Sequence, residues 1–114
     1  MSAKFVISST SNGEYRFVLK ATNGETILAS ETYAQLASAR NGVDSVKRNA
    51  ARVEMYERLT SSRGEPYFTL KAGNGQVVGT SEMYATTRSR DSGIESVKAN
   101  APRATVDEPA TGKD

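Results

Sequence analysis

Residues 13–50 read GEYRFVLKATNGETILASETYAQLASARNGVDSVKRNA, and residues 64–101 read GEPYFTLKAGNGQVVGTSEMYATTRSRDSGIESVKANA. Aligned at an offset of 51 residues and without a gap, the two stretches are identical at 19 of 38 positions. Self-similarity at a fixed period is the signature of a duplicated structural unit. The sequence therefore predicts a tandem repeat, with repeat one at about 1–51 and repeat two at about 52–107.

Each repeat opens with three predicted strands joined by tight turns. The pairs Asn12-Gly13 and Asn23-Gly24 are typical of hairpin turns, because both residue types tolerate a positive φ. Between these turns, apolar and polar side chains alternate with the period of a half-buried strand. The predicted strands are residues 4–9, 14–21 and 25–30, with the third repeated at 76–81. The pattern indicates an antiparallel three-stranded meander.

A helical period follows the strands in each repeat. In repeat one the stripe consists of Leu36, Ala39, Val43, Val46 and Ala50. In repeat two it is weaker at its start and consists of Thr87, Arg90, Ile94, Val97 and Ala101. Polar residues at 35–38 and 86–89 are candidate caps, and Asn49 and Asn100 mark the predicted helix ends. Gly42 and Gly93, inside the helices, indicate a close approach of each helix to the sheet.

The residues after each helix return to an extended pattern, so the predicted unit is β-β-β-α-β. The segment Arg52–Leu59 is expected to serve as the last strand of repeat one and the first of repeat two, with a bulge in its register. A unit of about 50 residues buries too little surface to be stable alone. We therefore predict an α+β fold over 1–107 as a single domain, followed by a disordered tail at 108–114.

The predicted architecture pools the two small cores. The tandem β(3)-α-β repeats form a single, mainly antiparallel sheet with two helices on one face, because a shared sheet leaves fewer exposed edges. A pseudo-twofold axis is expected to relate the repeats.

The composition excludes several classes of function. The chain contains no Cys and no His, which excludes disulfides, thiolate and imidazole catalysis, and Cys/His metal sites. The formal net charge of +2 neither requires nor forbids a polyanionic partner. The apolar run 5–7 is too short for a signal peptide, and no apolar stretch is long enough to span a membrane. We expect a cytoplasmic protein with no cofactor, no metal and no membrane partner.

Several runs recur in both repeats in the same order. They are Phe17-Val18-Leu19-Lys20-Ala21, Asn23-Gly24-Glu25, Ser30-Glu31-Thr32-Tyr33, Gly42-Val43 and Ser45-Val46-Lys47, with Leu70-Lys71-Ala72-Gly73-Asn74-Gly75, Gly79-Thr80-Ser81-Glu82-Met83-Tyr84 and Gly93-Ile94-Glu95-Ser96-Val97-Lys98-Ala99-Asn100-Ala101 in repeat two. Over about residues 4–107 they resemble the YegP-like family of small bacterial and archaeal proteins. The resemblance implies β(3)-α-β units in a single sheet, with the C-terminal strands exchanged between repeats. It implies no activity, because the family is uncharacterised.

No catalytic residue is predicted. Glu31 and Glu82 are symmetry-related carboxylates, each two residues before a tyrosine (Tyr33 and Tyr84), and paired carboxylates can carry out general acid–base chemistry. A carboxylate near a helix start is also stabilised by the helix dipole, and this structural interpretation is preferred. The two tyrosines are expected to pack at the strand-to-helix corner with their hydroxyl groups hydrogen-bonded.

The candidate binding surface is the sheet face away from the helices. Alternation places Arg16, Lys20, Tyr67 and Lys71 on this face, and Lys4 is a further candidate. Open sheets that display cations and aromatic rings bind single-stranded nucleic acid in other proteins. With one aromatic residue and little net charge, an ordinary solvated face also explains the pattern.

The sequence favours a non-enzymatic binding or interaction module that touches nucleic acid or another polyanion weakly through this face. A structural or assembly protein that acts through strand exchange is the alternative, in which the expected monomer forms a domain-swapped dimer. A small-molecule enzyme is the least favoured of the three, because no residue spacing requires it.

Overall fold

The computed structural model describes residues 3–108. Within them the chain forms β1 (Lys4–Ser9), β2 (Tyr15–Lys20), β3 (Thr26–Ala29), α1 (Leu36–Asn49), β4 (Tyr56–Thr60), β5 (Pro66–Lys71), β6 (Val77–Thr80), α2 (Thr87–Asn100) and β7 (Thr105–Asp107). Short 3₁₀ turns at Val53–Met55 and Ala101–Arg103 precede β4 and β7. The predicted tail from 109 onwards lies outside the described residues, whereas Glu108 is described and forms an ion pair with Arg40 at 2.6 Å.

The strands form one seven-stranded sheet in the order β4-β5-β6-β3-β2-β1-β7. All neighbouring strands are antiparallel except β1 and β7, which are parallel. The two meanders meet in the middle, where β3 of repeat one pairs with β6 of repeat two through Ala29 and Thr80. The predicted α+β fold with a single, mainly antiparallel sheet is confirmed.

The hairpin turns form at the predicted positions, but only their glycines have positive φ. Gly24 has a φ of 86°, whereas no residue other than glycine among residues 3–108 has a positive φ. The N–H of Ala21 donates to the Glu25 carbonyl at 2.9 Å, and Asn23 accepts a hydrogen bond from the Glu25 N–H through its side chain at 3.0 Å. The asparagine therefore contributes a side-chain acceptor, and the glycine alone provides the unusual backbone angle.

A β-bulge lets two consecutive residues enter the core. Leu19 pairs with Leu28 and Lys20 pairs with Thr26, so Ile27 is an extra residue in β3. Both Ile27 and Leu28 are buried, which strict alternation along a strand would not allow. The same register shift occurs at the start of β6 in repeat two.

The segment between the repeats differs from the prediction. Residues 52–59 do not form one shared strand, because the 3₁₀ turn Val53–Met55 interrupts the backbone before β4 begins at Tyr56. The expected bulge is also absent, since β4 pairs with β5 in a regular register from Tyr56–Leu70 to Thr60–Pro66. The chain turns sharply at the end of α1 because β4 must start at the far edge of the sheet.

The exchange of C-terminal strands between repeats is not shown in the reciprocal form that the family resemblance implies. β7, at the end of repeat two, pairs in parallel with β1 of repeat one over Lys4–Thr105, Phe5–Val106 and Val6–Asp107. The corresponding segment of repeat one is the 3₁₀ turn and the start of β4, which already pairs with β5. Within residues 3–108, repeat one therefore has no separate C-terminal strand that could pair with repeat two in exchange for β7.

Both helices cover the same face of the sheet. A methyl group at Gly42 would lie 2.9 Å from the Phe17 ring, and one at Gly93 would lie 3.2 Å from Phe68. The strand register places Phe17 and Phe68 on one face. The fully buried large side chains of the core are Phe5, Phe17, Phe68, Ile7, Leu19, Leu28, Leu70, Ile94, Val43, Val46 and Val97. The close approach predicted at the two helical glycines is confirmed, and the Tyr33 and Tyr84 rings also fill that space.

Both helices end at the predicted asparagines, but not by a left-handed cap. Ala50 and Ala101, the next residues, keep right-handed helical angles. The Asn49 side-chain amide donates to the Ser45 carbonyl at 2.8 Å, and Asn100 makes the same bond to Ser96. Each asparagine satisfies a carbonyl of the last turn directly. In residues 3–108 neither helix has the length and hydropathy needed to cross a bilayer.

Candidate functional site

The second face of the sheet, which we call the open face, carries the outward side chains of every strand in the two meanders. Because α1 and α2 both lie against the Phe17–Phe68 face, no element within residues 3–108 packs on this side. The strand register assigns to the open face Lys4, Val6, Arg16, Val18, Lys20, Ala29, Thr80, Tyr67, Thr69, Lys71 and Glu57.

A row of small side chains crosses the middle of the open face. Val6 pairs with Val18, Val18 with Ala29, Ala29 with Thr80, and Thr80 with Thr69. Thr69 is only 6% exposed, and its hydroxyl is the one buried side-chain polar atom in residues 3–108 without a hydrogen-bond partner. The row is therefore smooth and apolar in repeat one and interrupted by an unsatisfied hydroxyl in repeat two.

The structure places all four predicted residues on the open face, at the corners of a rectangle. β2 and β5 run in opposite directions and are separated by β3 and β6, so they lie about 14 Å apart. Lys20 and Tyr67 lie on one side of the central row, and Arg16 and Lys71 lie on the other. Along one strand, Arg16 and Lys20 are about 14 Å apart. The four side chains therefore surround the central row and do not form a single cluster.

Their electrostatic surroundings differ between the two repeats. Lys71 Nζ lies 3.1 Å from a carboxylate oxygen of Glu57 on the neighbouring strand. Arg16 and Lys20 form no ion pair within residues 3–108, and Glu57 corresponds to Val6 in repeat one. The positive potential of the open face is therefore concentrated on the repeat-one half.

Two carboxylates that are not among the predicted site residues also shape this face. Glu57 neutralises Lys71, and Asp107 lies 3.2 Å from Lys4 Nζ. The position of Glu57 on the open face could have been predicted from the sequence, because it lies two residues before Leu59 in a strand whose side chains alternate between the two faces. Asp107 could not, since its position depends on β7 crossing to the far edge of the sheet beside β1.

The symmetry-related glutamates do not form a catalytic pair. β3 and β6 are antiparallel and pair at Ala29–Thr80, so Glu31 and Glu82 leave the pairing point in opposite directions. Two residues beyond that point on each strand, they are about 14 Å apart, outside the separations of about 5–9.5 Å used by carboxylate pairs in glycosidases. Both glutamates are exposed.

Tyr33 and Tyr84 pack at the strand-to-helix corners, as predicted. Tyr33 stacks on Phe17 with ring centroids 6.2 Å apart, and Tyr84 stacks on Phe68 at 6.3 Å. Burial raises the pKa of both hydroxyl groups, and the charges of nearby glutamates raise it further. Neither hydroxyl has a hydrogen-bond partner within residues 3–108, so the predicted hydrogen bonds are not found. These tyrosines are packing residues.

The described part of the chain offers no cluster of side chains suited to bind a metal ion. Residues 3–108 contain no group of three Asp or Glu side chains arranged to hold an ion.

Comparison with known proteins gives the family. The model of a domain of unknown function, DUF1508, matches residues 10–57 and again residues 61–108, in agreement with the duplication seen in the sequence. The chain belongs to the DUF1508 family. Among its DUF1508 relatives are the UPF0339 protein ACIAD0721 of Acinetobacter baylyi, 56% identical over 93% of this chain and 96% of that protein, and the UPF0339 protein YegP of Escherichia coli K12, 52% identical over the same shares.

Two solution structures of DUF1508 relatives share the fold. The NMR structure of YegP from E. coli, a protein of unknown function, matches with a TM-score of 0.91 and 50% identity, covering 100% of this chain and 97% of that one. The NMR structure of the UPF0339 protein SO3888 from Shewanella oneidensis matches with a TM-score of 0.89 and 44% identity, covering 95% and 92%. The YegP-like resemblance is confirmed. The relatives named above are bacterial proteins of unknown function, and none of their names indicates an enzymatic activity.

Proposed function

We propose that this protein is a non-enzymatic binding module that holds an extended polyanion, such as single-stranded nucleic acid, on its open face. The observation that carries the proposal is the charge asymmetry of that face: Arg16 and Lys20 lack ion-pair partners within residues 3–108, whereas Lys71 is paired with Glu57. Free cations beside a smooth apolar row can contact phosphates without first breaking an internal ion pair.

The spacing of the predicted residues suits an extended strand, because one small ligand cannot bridge all four of them. Arg16 and Lys20 lie about 14 Å apart along β2, and Tyr67 lies across the sheet from Lys20 at a similar distance. Tyr67 is half-buried, so part of its ring is exposed on the open face, where a base can stack on it. A chain crossing from β2 to β5 contacts a cation at one end and an aromatic ring at the other.

Binding of this kind is weak and sensitive to salt. With Arg16 and Lys20 as phosphate contacts, the slope of log K against log[salt] for a single strand is about −1.4. The small net charge of +2 adds little attraction at long range. We expect measurable binding near 50 mM NaCl and a strong decrease by 200 mM.

The test is fluorescence anisotropy with a labelled twelve-nucleotide single strand at these two salt concentrations. The double variant Arg16→Gln/Lys20→Gln is expected to lose about tenfold in affinity and to flatten the salt slope by about 1.4. Tyr67→Ala is expected to lose about tenfold with an unchanged slope, because it removes stacking and not charge.

The matched control is Arg48→Gln/Arg88→Gln, which removes two exposed cations from the helices and changes the net charge equally. If this control weakens binding as much as Arg16→Gln/Lys20→Gln, attraction is general and the open face is not the site. If the wild-type protein binds no oligonucleotide at 50 mM NaCl, the polyanion proposal is wrong.

A second proposal is assembly by exchange of β7 between two copies of the chain. β7 is three residues long, all of them exposed, and it holds β1 in a parallel pairing. Exchange of an identical terminal strand between two copies is a low-cost route to a dimer, because each strand makes the same contacts with its partner as it made within its own chain. Light scattering across protein concentration tests this proposal, and a monomer at millimolar concentration contradicts it.

A further inference from the structure

An open cavity of about 370 Å³ lies at one end of the open face, where β1, β2 and β7 meet the β2–β3 hairpin. Its lining includes Lys4, Lys20, Thr22, Gly24, Thr105 and Asp107. We call it the lysine pocket. It is within the size range of small-ligand sites, and its lining combines two ammonium groups with two hydroxyl groups.

The two lysines of the pocket are direct cross-strand neighbours. Lys4 on β1 pairs with Lys20 on β2, and both side chains project from the open face. Like charges directly opposite each other on adjacent strands destabilise a sheet unless a counter-charge lies between them. Asp107 supplies one carboxylate, 3.2 Å from Lys4, and Lys20 has no ion pair within residues 3–108. The pocket therefore retains one excess positive charge.

Repeat two does not reproduce this arrangement. The counterpart of Lys4 is Met55, and the counterpart of Lys20 is Lys71, which Glu57 neutralises at 3.1 Å. The cationic pair is thus specific to repeat one, and repeat two offers a control lysine in the same strand position.

We propose that the lysine pocket binds a phosphate group, with Lys20 as the principal contact and Lys4 as the second, and that Asp107 competes internally for Lys4. The inference rests on the proposed function and deepens it, because it names where a polyanion is anchored. Two ammonium groups and two hydroxyl donors match the charge and the several acceptor oxygens of phosphate better than those of a single carboxylate.

Asp107 gives the pocket a tunable affinity. Its carboxylate is 57% exposed and reaches Lys4 from the edge strand β7, which pairs with β1 through three residues. An exposed ion pair of this kind contributes little stability, so an incoming phosphate displaces it easily. Removal of the Asp107 charge is therefore expected to strengthen phosphate binding.

The experiment is a ¹H–¹⁵N NMR titration of the full chain with inorganic phosphate, with ionic strength kept constant by NaCl. We expect the amides of Lys20, Thr22, Gly24 and Thr105 to shift together. Lys20→Gln is expected to weaken the affinity about five- to tenfold, and Lys71→Gln to leave it unchanged. Asp107→Asn is expected to strengthen it about threefold, whereas Asp44→Asn, an equal charge change on α1, has no effect.

A second arm replaces inorganic phosphate with the twelve-nucleotide single strand and separates this inference from the proposed function. If the strand binds and Arg16→Gln weakens it while Lys20→Gln does not, the lysine pocket is not the anchor, and the strand is held by the rest of the open face. If phosphate shifts the pocket amides but no strand binds, the polyanion function is wrong and the pocket is a site for small phosphorylated compounds. Equal losses in Lys20→Gln and Lys71→Gln, or shifts spread over the whole chain, overturn the pocket.

Discussion

The two repeats keep the centre of the core and differ on the open face. Two inward-facing positions of β2 and β5 are identical, with Phe17 matched by Phe68 and Leu19 by Leu70, whereas Tyr15 is replaced by Pro66. On the outward face of the same strands, Arg16 is replaced by Tyr67. The packing against the helices constrains the inner face, because a buried site tolerates few side-chain volumes. The outer face has no such constraint, and there the copies have different charges and polarity.

The second difference lies where each repeat ends. Repeat one must continue into repeat two, so the chain after α1 turns and enters β4 at one edge of the sheet. Within residues 3–108 no further repeat follows repeat two, and β7 pairs with β1 at the other edge. The two helix ends are thus equivalent in sequence but not in connection, and only the second provides Asp107 to the lysine pocket.

The largest expected effect on stability comes from filling the close contact between helix and sheet, which both repeats share. Gly93→Ala places a methyl group against the Tyr84 hydroxyl and 2.7 Å from Cζ of the same ring. Alanine is favoured over glycine within a helix by about 1 kcal/mol, but overpacking of this core costs about 1–3 kcal/mol. Since contact with the ring itself is closest at Gly93, we expect a net loss of about 2 kcal/mol in the free energy of unfolding.

Gly42→Ala is expected to lose less, because its methyl group lies 2.6 Å from the Tyr33 hydroxyl and 2.9 Å from Phe17. Urea unfolding measures both variants. Gly73→Ala is the control, since a methyl group there meets no atom within 4 Å. Equal stability of Gly93→Ala and the wild type would show that helix and sheet are not in close contact in repeat two.

The next largest effect on stability concerns Tyr56, whose counterpart in repeat one is Phe5. Tyr56 donates a hydrogen bond of 2.6 Å to the Ala50 carbonyl at the end of α1, and Phe5 has no hydroxyl to do so. Tyr56→Phe is expected to cost about 1–2 kcal/mol at pH 7, because the buried carbonyl loses its partner. Burial, followed by the charge of Glu95, raises the pKa of the Tyr56 hydroxyl well above its usual value.

The sign of the pH dependence follows from that raised pKa. The folded state holds the proton of Tyr56 more tightly than the unfolded state, so its contribution is complete below about pH 10 and is lost as the pH rises further. Above pH 10 the wild type loses up to about 1.4 kcal/mol per pH unit through Tyr56, and Tyr56→Phe does not. Urea unfolding between pH 8 and 11 should show the two stabilities converging. A constant difference across this range contradicts the assignment.

Exchanging threonine and valine in the central row of the open face is expected to change stability less, and in opposite directions in the two repeats. Thr69 buries a hydroxyl without a partner, whereas its counterpart Val18 has none to bury. Thr69→Val is expected to raise the free energy of unfolding by about 1 kcal/mol, because it removes an unsatisfied group with little change in shape. Val18→Thr is expected to lower it by less, since Val18 is partly exposed and water can reach the new hydroxyl. Thermal unfolding of both variants checks the prediction, and a destabilised Thr69→Val contradicts it.

The fold was predictable where local pattern and duplication agreed. Alternation identified β2, asparagine-glycine pairs identified its turns, and the 19 shared positions showed that both repeats have one architecture. The 3₁₀ turn Val53–Met55 was missed, because nothing in its composition distinguishes it from the extended residues around it. Its position is set by the edge at which β4 must begin, which is a property of the whole sheet.

The candidate site was predictable in its outline and not in its charges. Strand alternation alone placed Lys20 and Lys71 on the open face, and this placement agrees with the register. Which of the two is neutralised depends on cross-strand neighbours, since Glu57 reaches Lys71 only through the β4–β5 pairing. The lysine pocket needs β7 beside β1, a contact between the two ends of the chain that no local pattern encodes.

The smallest expected effect on stability comes from giving α1 of repeat one the N-terminal cap that α2 of repeat two has. Thr86 caps α2 by accepting a hydrogen bond from the Ser89 N–H at 3.0 Å, whereas Gln35 makes no such bond at the start of α1. The Ser38 N–H, which corresponds to that of Ser89, donates to the Gln35 carbonyl at 3.1 Å and so already points at residue 35. Gln35→Thr is therefore expected to raise the free energy of unfolding by about 0.5–1 kcal/mol, and Thr86→Ala to lower it by about 1 kcal/mol. Urea unfolding measures both variants. No gain in Gln35→Thr, together with a loss in Thr86→Ala, would show that the backbone before α1 cannot adopt the capped geometry of α2, and that the repeats differ in conformation there as well as in side chain.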